Sequence, residues 1–189
     1  MVQKNFKEIR VAFIISSNPS WLGEQNYFKS LLNSLNDLNK DNKIKFFVFT
    51  GTDEIIFNQK NYKNLNIIKS IFLNKKGFAS YIKKICSIVF KKYDPILLLL
   101  LNKFSINILS HYRPIIGVKN VTWFPDFQHE YYPNFFSKKE IITRNKIYTN
   151  YINHSDTLIV SSKSSKKDLL KFYKKYKIKN KIKNIKILN

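Results

Sequence analysis

The sequence predicts an α/β protein with a mostly parallel sheet and helices on both faces. Strand-length apolar runs alternate with amphipathic helical patterns along the chain. That alternation implies right-handed crossovers between parallel strands. The length, 189 residues with 44% hydrophobic, suits one domain with a sizeable core. No internal repeat and no membrane-length apolar run competes with this reading, since Ile96 to Leu101 is far shorter than the ~20 residues of a span.

The elements follow in order. Ile9 to Ile15 is a buried first strand, and the polar loop SSNPSWLGEQ follows it. Tyr27, Phe28, Leu31, Leu32, Leu35 and Leu38 then fall on one helical face. Lys43 to Gly51 reads as a second strand and Asn66 to Ile71 as a third. Gly77 to Tyr93 reads as a basic amphipathic helix with Tyr81, Ile82, Ile85, Ile88 and Val89 inward. Ile96 to Leu101 fits either a strand or a buried helical turn, because periodicity cannot decide a uniform run. Val118 to Phe124 is a strand. Ser137-Lys-Lys-Glu140 is a capping box that starts a helix near Lys138, with Ile141, Ile142, Tyr148, Tyr151 and Ile152 on its buried side. Thr157 to Val160 is the next strand. Ser165-Lys-Lys-Asp168 reads as a second capping box, opening a helix to about Tyr176, and Asn184 to Leu188 as a last strand.

The formal charge is +22, from 34 Lys+Arg against 12 Asp+Glu. Nucleic acid is the reflex partner for such a charge. The excess is nearly all Lys, however, and it comes with abundant Asn, Ile, Phe and Tyr, which share AT-rich codons. Arg, the better base reader, occurs only at Arg10, Arg113 and Arg144. Nucleic acid is therefore an unlikely partner, while anionic lipid headgroups suit the surface. The single cysteine, Cys86, excludes an internal disulfide and reads as a buried thiol in a reducing compartment. With only Val11 to Ile15 as an apolar start, the expected location is cytoplasmic, with the inner face of the membrane as a possible contact.

Chemistry concentrates in two loops. In a parallel sheet all strands aim their C-terminal ends at one edge, where ligands bind. The loop after the first strand carries Trp21, Gly23, Glu24, Gln25 and Asn26. The stretch WFPDFQHEYYPNFFSKKE, Trp123 to Glu140, carries Asp126, Gln128, His129 and Glu130 among aromatics. Gly23 stands where backbone could approach a phosphate at a helix N-terminus, or it is a plain turn glycine. Neither a P-loop nor a dinucleotide fingerprint can be built from 4 glycines in this order. His129 can bond a hydroxyl or act as a base near neutral pH, with Asp126 three residues earlier to orient its ring. Equally, both can serve only the backbone of a Pro-bounded loop. No second His or Cys sits at metal-ligand spacing, GxSxG is absent, and His111 and His154 read as structural.

RVAFIISSNPSWLGEQNYFKSLLNSL resembles the opening of a retaining glycosyltransferase of the GT-B fold, in the large family 4 group. WFPDFQHEYYPNFFSKKEIITRNK resembles the Trp-x-Pro-Asp-Phe-Gln-His segment of one bacterial branch, continuing to an acidic residue and an Arg, here Glu140 and Arg144. LIVSSKSSKKDLLKFY resembles the strand, Ser-Ser turn and basic helix that follow. The resemblance covers nearly the whole chain. It implies a Rossmann-like N-terminal, acceptor-side domain over residues 1–189, without metal or other cofactor. It implies that Gly23 and Glu24 lie near the donor diphosphate and that His129 and Asp126 belong to the catalytic centre. Trp21, Asn26, Gln128, Tyr131 and Arg144 would belong to the sugar or acceptor pocket.

Two departures qualify it. Glu24 replaces the usual second Gly of the loop, and Glu8, Glu24, Glu54, Glu130 and Glu140 form no Glu-x7-Glu donor motif. The expectation is an incomplete enzyme. It would take a nucleotide-sugar donor and a glycan or lipid-linked acceptor, in polysaccharide or glycolipid assembly, with the donor domain supplied separately. The alternatives are a non-catalytic basic module for nucleic acid or anionic membrane, or an inactive remnant.

Overall fold

A computed structural model of the chain describes residues 8–15, 22–38, 44–52, 62–74, 76–89, 94–110, 114–124, 126–178 and 184–188. The chain divides into two compact units, Met1–Leu109 and Ser110–Asn189. Both have the α/β, Rossmann-like character that the alternating pattern predicts, with parallel strands and helices.

In the first unit, β1 (Ile9–Ile15) leads to α1 (Leu22–Leu38), β2 (Ile44–Thr50) and β3 (Leu65–Lys69). The strands lie in the order β3-β2-β1, with β4 (Ile108–Ser110) beside β1 at the unit boundary. β1 runs parallel to β2 from Ile9 opposite Ile44 to Ile15 opposite Thr50, and β2 parallel to β3. Phe46 to Thr50 are all buried, which a strand achieves only when both of its faces are covered. Phe46 and Val48 pack with Leu32, Phe28, Leu31 and Leu35 of α1. The alternate residues Phe47 and Phe49 meet Phe104 at 5.9 and 5.6 Å between ring centroids.

Three readings of this unit change. α1 begins at Leu22, so Gly23, Glu24 and Gln25 form its first turn instead of a loop before it. Ile96 to Leu101 is helical, within α3 (Pro95–Lys103). Asp94 caps it by accepting the Leu97 N–H at 2.9 Å, and Pro95 sits at the first helical position, where its missing N–H costs nothing. The helix α2 (Phe78–Val89) forms, but Tyr81, Ile85 and Val89, read as inward, are exposed, and Cys86 is only half-buried. Helical period identifies an apolar stripe and not what covers it. The side chain of Ile88 and the predicted extension to Tyr93 lie outside the described residues.

In the second unit, β5 (Lys119–Phe124) is followed by one helical turn, α4 (Gln128–Tyr131), then a 3-10 turn, Pro133–Phe135. α5 (Lys138–His154), β6 (Thr157–Val160), α6 (Lys163–Lys175) and β7 (Ile185–Ile187) complete it. The order is β5-β6-β7, parallel throughout, from Val121 opposite Thr157 and Leu158 opposite Ile185. Ser137 and Glu140 form the expected capping box: Ser137 Oγ accepts the Glu140 N–H at 3.2 Å, and the Glu140 carboxylate accepts the Ser137 N–H at 2.8 Å. Tyr148, Tyr151 and Ile152 are buried as expected, while Ile142 is exposed. At about 100° per residue, Ile142 is turned roughly 120° from Tyr148. The second box is corrected. Ser162, not Ser165, caps α6 by accepting the Ser165 N–H at 3.1 Å, which leaves Asp168 inside the helix for another partner.

Asn120 locks the entry to β5. It is 5% exposed, and its side chain accepts the Ile115 N–H at 2.8 Å and donates to the Ile115 and Val118 carbonyls at 2.7 and 2.8 Å. Truncation would strand those buried groups. Asn120→Ala is expected to lower unfolding stability by roughly 1–3 kcal/mol in urea titration, and an unchanged midpoint would contradict this role.

Candidate functional site

The stretch after β5 is built from the backbone outward. Asp126 Oδ1 accepts the Gln128 N–H at 3.0 Å, an Asx turn that starts α4. The Asp126 carbonyl accepts the Tyr148 hydroxyl of α5 at 2.9 Å. Burial, helped by the Asp126 charge, pushes the Tyr148 phenol up to about 12, so it remains a donor at neutral pH. Phe127 turns inward, stacked on Phe124 at 5.8 Å. One residue on, Gln128 is exposed.

His129 is 1% exposed. Its ring lies edge-on to Tyr148 at 5.1 Å and to Phe136 and Phe172 at 6.4 Å each. Nε2 sits 3.0 Å from Asn145 Oδ1 and donates to it, while Nδ1 has no hydrogen-bond partner among the described residues. Burial lowers the His129 pKa, and the nearby Arg144 cation adds to this. The Asn145 bond and the Glu130 and Asp126 carboxylates oppose it. The ring is therefore neutral at pH 7.

A directed chain of bonds continues from that ring. Asn145 Nδ2 donates to Tyr176 Oη at 2.6 Å, and the Tyr176 hydroxyl donates to Glu130 Oε1 at 2.9 Å. Lys175 Nζ meets the other Glu130 oxygen at 2.5 Å. The chain ties α4, α5 and the C-terminal end of α6 together through one carboxylate. Beside it, Tyr131 donates its hydroxyl to Asp168, the residue released by the shifted cap. Arg144 closes the other flank, 3.9 Å from Asp126 Oδ1 and 4.6 Å above the Phe136 ring.

Glu130, Tyr131, Asp168 and Lys175 of this set border a cavity of about 230 Å³, lined also by Phe127, Lys171 and Phe172. Two aromatic rings, two carboxylates, two ammonium groups and a phenol suit a small, neutral, polyhydroxylated ligand. Such a ligand offers hydroxyls to charges and an apolar ring face to Tyr131, which is exposed.

Of the residues singled out in the sequence, Asp126, Gln128, His129, Tyr131 and Arg144 lie together in the second unit, and Tyr131 lines the cavity. Gly23 and Glu24 open α1 in the first unit, where Asn26 is exposed, and Trp21 lies outside the described residues, as do His111 and Arg113. Asp168, Lys171 and Lys175 went unnoticed as site residues. Their only sequence signal is the i, i+3, i+7 spacing along α6, which reads as an ordinary solvated helix face. Among the described residues, no three His, Cys, Asp or Glu side chains are grouped to hold a metal ion, and no helix is long and apolar enough to cross a membrane.

The pH dependence of His129 has a definite sign. Above about pH 6.5 the ring is neutral in both folded and unfolded chains. Below it, the unfolded chain takes up a proton that burial denies the folded one, so stability falls as pH drops toward the lowered folded pKa. The melting temperature is expected to fall as pH drops below about 6.5, and His129→Gln to flatten that fall. A parallel decline in both proteins would show that another group is responsible.

No family model matches the chain, and no curated protein matches it. Among solved structures it is similar to a sucrose-phosphate synthase from Thermosynechococcus elongatus, with 11% identity and a TM-score of 0.49, covering 94% of this chain and 87% of that chain. A likeness of that depth carries no inference about this chain.

Proposed function

We propose that this chain is the acceptor-side part of a retaining glycosyltransferase, with the cavity between α4 and α6 holding a sugar of a glycan or lipid-linked acceptor. One observation carries the reading. The segment that resembles glycosyltransferases, Asp126 to Tyr131, forms one wall of a cavity whose chemistry suits a sugar. In the proposed transfer, the sugar–phosphate bond of a nucleotide-sugar breaks, the acceptor hydroxyl oxygen bonds to the sugar carbon, and the nucleoside diphosphate leaves, taking up the proton that the hydroxyl loses. Stabilising that leaving group is the main catalytic demand. Glu24 is a poor neighbour for a diphosphate, so the reading assigns donor binding to a separate domain.

The parts fall to named side chains. Glu130 and Asp168 accept from acceptor hydroxyls, Lys171 and Lys175 donate to ring and hydroxyl oxygens, and the exposed Tyr131 ring faces the apolar side of the sugar. His129, buried as it is, positions Glu130 and Tyr131 through the segment it anchors.

Saturation-transfer NMR with a panel of hexoses and N-acetylhexosamines tests this. Ring-proton signals are expected for at least one member, with binding in the millimolar range. Asp168→Asn and Lys171→Ala should each weaken it at least about five-fold, the loss of one charge-assisted hydrogen bond. Absence of transfer to every sugar, or variants that bind equally well, would overturn the reading.

A further inference from the structure

The first unit presents an apolar stripe that its own core does not use. On α2, Phe78, Tyr81, Ile85 and Val89 are spaced three, four and four residues apart, so they share one helix face. They are 83%, 67%, 58% and 65% exposed. Ile71, in the 3-10 turn Ile71–Leu73 that packs against α2, is also exposed. A continuous patch of this kind marks a surface that meets something apolar.

The surrounding sequence identifies the partner by charge. Residues 55–93 contain nine Lys and no Asp or Glu. Three of the Lys pairs, Lys75-Lys76, Lys83-Lys84 and Lys91-Lys92, recur every eight residues through and around the helix. Lys76, just before α2, is exposed. An exposed apolar stripe in a stretch of sequence this rich in Lys matches the boundary between acyl chains and anionic headgroups. A nucleic acid would neutralise the lysines but leave Ile85 and Val89 without a stacking partner, and this stretch has no Arg. A two-fold contact with a second copy would bring the same lysine pairs against each other. The helix has 12 residues, about 18 Å, so it lies on a bilayer and does not cross it.

We propose that α2 docks this protein on an anionic membrane surface, with Phe78, Tyr81, Ile85 and Val89 entering the headgroup–acyl boundary and the neighbouring lysines pairing with lipid phosphates. The stripe lies in a different unit from the sugar cavity, so either reading can fail without the other.

Co-sedimentation of the full chain with vesicles tests it. Partitioning should be at least about ten-fold stronger onto phosphatidylcholine vesicles carrying phosphatidylglycerol than onto phosphatidylcholine alone. Ile85→Ser combined with Val89→Ser should weaken the anionic binding at least about five-fold, with circular dichroism and melting unchanged because both side chains are exposed. Ile85→Trp should show a blue-shifted emission only with anionic vesicles. Equal partitioning onto both vesicle types, or full binding by the serine variant, overturns the proposal. So does a dimer in sedimentation that the serine variant dissociates, or duplex DNA binding that the same variant loses.

Discussion

The second unit depends on one buried hydrogen bond, His129 Nε2–H to Asn145 Oδ1, inside an aromatic shell. A neutral imidazole buried among Tyr148, Phe136 and Phe172 gains packing area, but its polar atoms lose water. The Asn145 bond offsets part of that loss. It also fixes which way the Asn145 amide points, hence its donation to Tyr176, and hence the Tyr176 donation to Glu130. Four side chains from three helices thereby share one direction of donation. The last of them, the Glu130 carboxylate, reaches the cavity wall with Lys175 beside it. His129, the titratable group that stands out in the sequence, is buried in the folded chain and bonded to Asn145.

The two units manage polarity differently. The second encloses its polar groups: Asn120 is spent on the Ile115–Val118 turn, Ser155 donates to Thr122 at 2.7 Å, and His129 is sealed by rings. The first covers both faces of β2 with apolar residues and leaves a further apolar row, on α2, exposed. The net charge of +22 is thus not one uniform property. Around the cavity Glu130 and Asp168 stand beside Lys171 and Lys175, whereas the sequence of residues 55–93 carries Lys without Asp or Glu. That contrast separates the two stretches electrostatically.

The parts of the fold set by local chemistry were legible in the sequence. β1, β6 and the Ser137–Glu140 box depend on contiguous residues, and each appears where its pattern stands. Asp94-Pro95 is the local signal for the helix α3, and the uniform leucine run after it obscures that signal. Overlapping signals were harder. Ser162 and Ser165 both precede the α6 pattern by plausible distances, and the backbone turn after β6 decides for Ser162. The cavity was the least legible part. Tyr131 and Asp168 are 37 residues apart, and Glu130 and Tyr176 are 46 apart. No local pattern links them, and only parallel crossovers of this length bring them together.

The most direct measurement is the nitrogen NMR spectrum of the His129 ring at pH 7, assigned by comparison with His129→Gln. The account predicts a neutral ring with the proton on Nε2 and a bare Nδ1, coupled across the hydrogen bond to Asn145. An imidazolium with both nitrogens protonated, or a proton on Nδ1 with Nε2 bare, would contradict it. A bare Nε2 would require the Asn145 amide to turn and donate to it, which removes the donor to Tyr176; an imidazolium would keep that bond but contradict the neutral ring that burial favours.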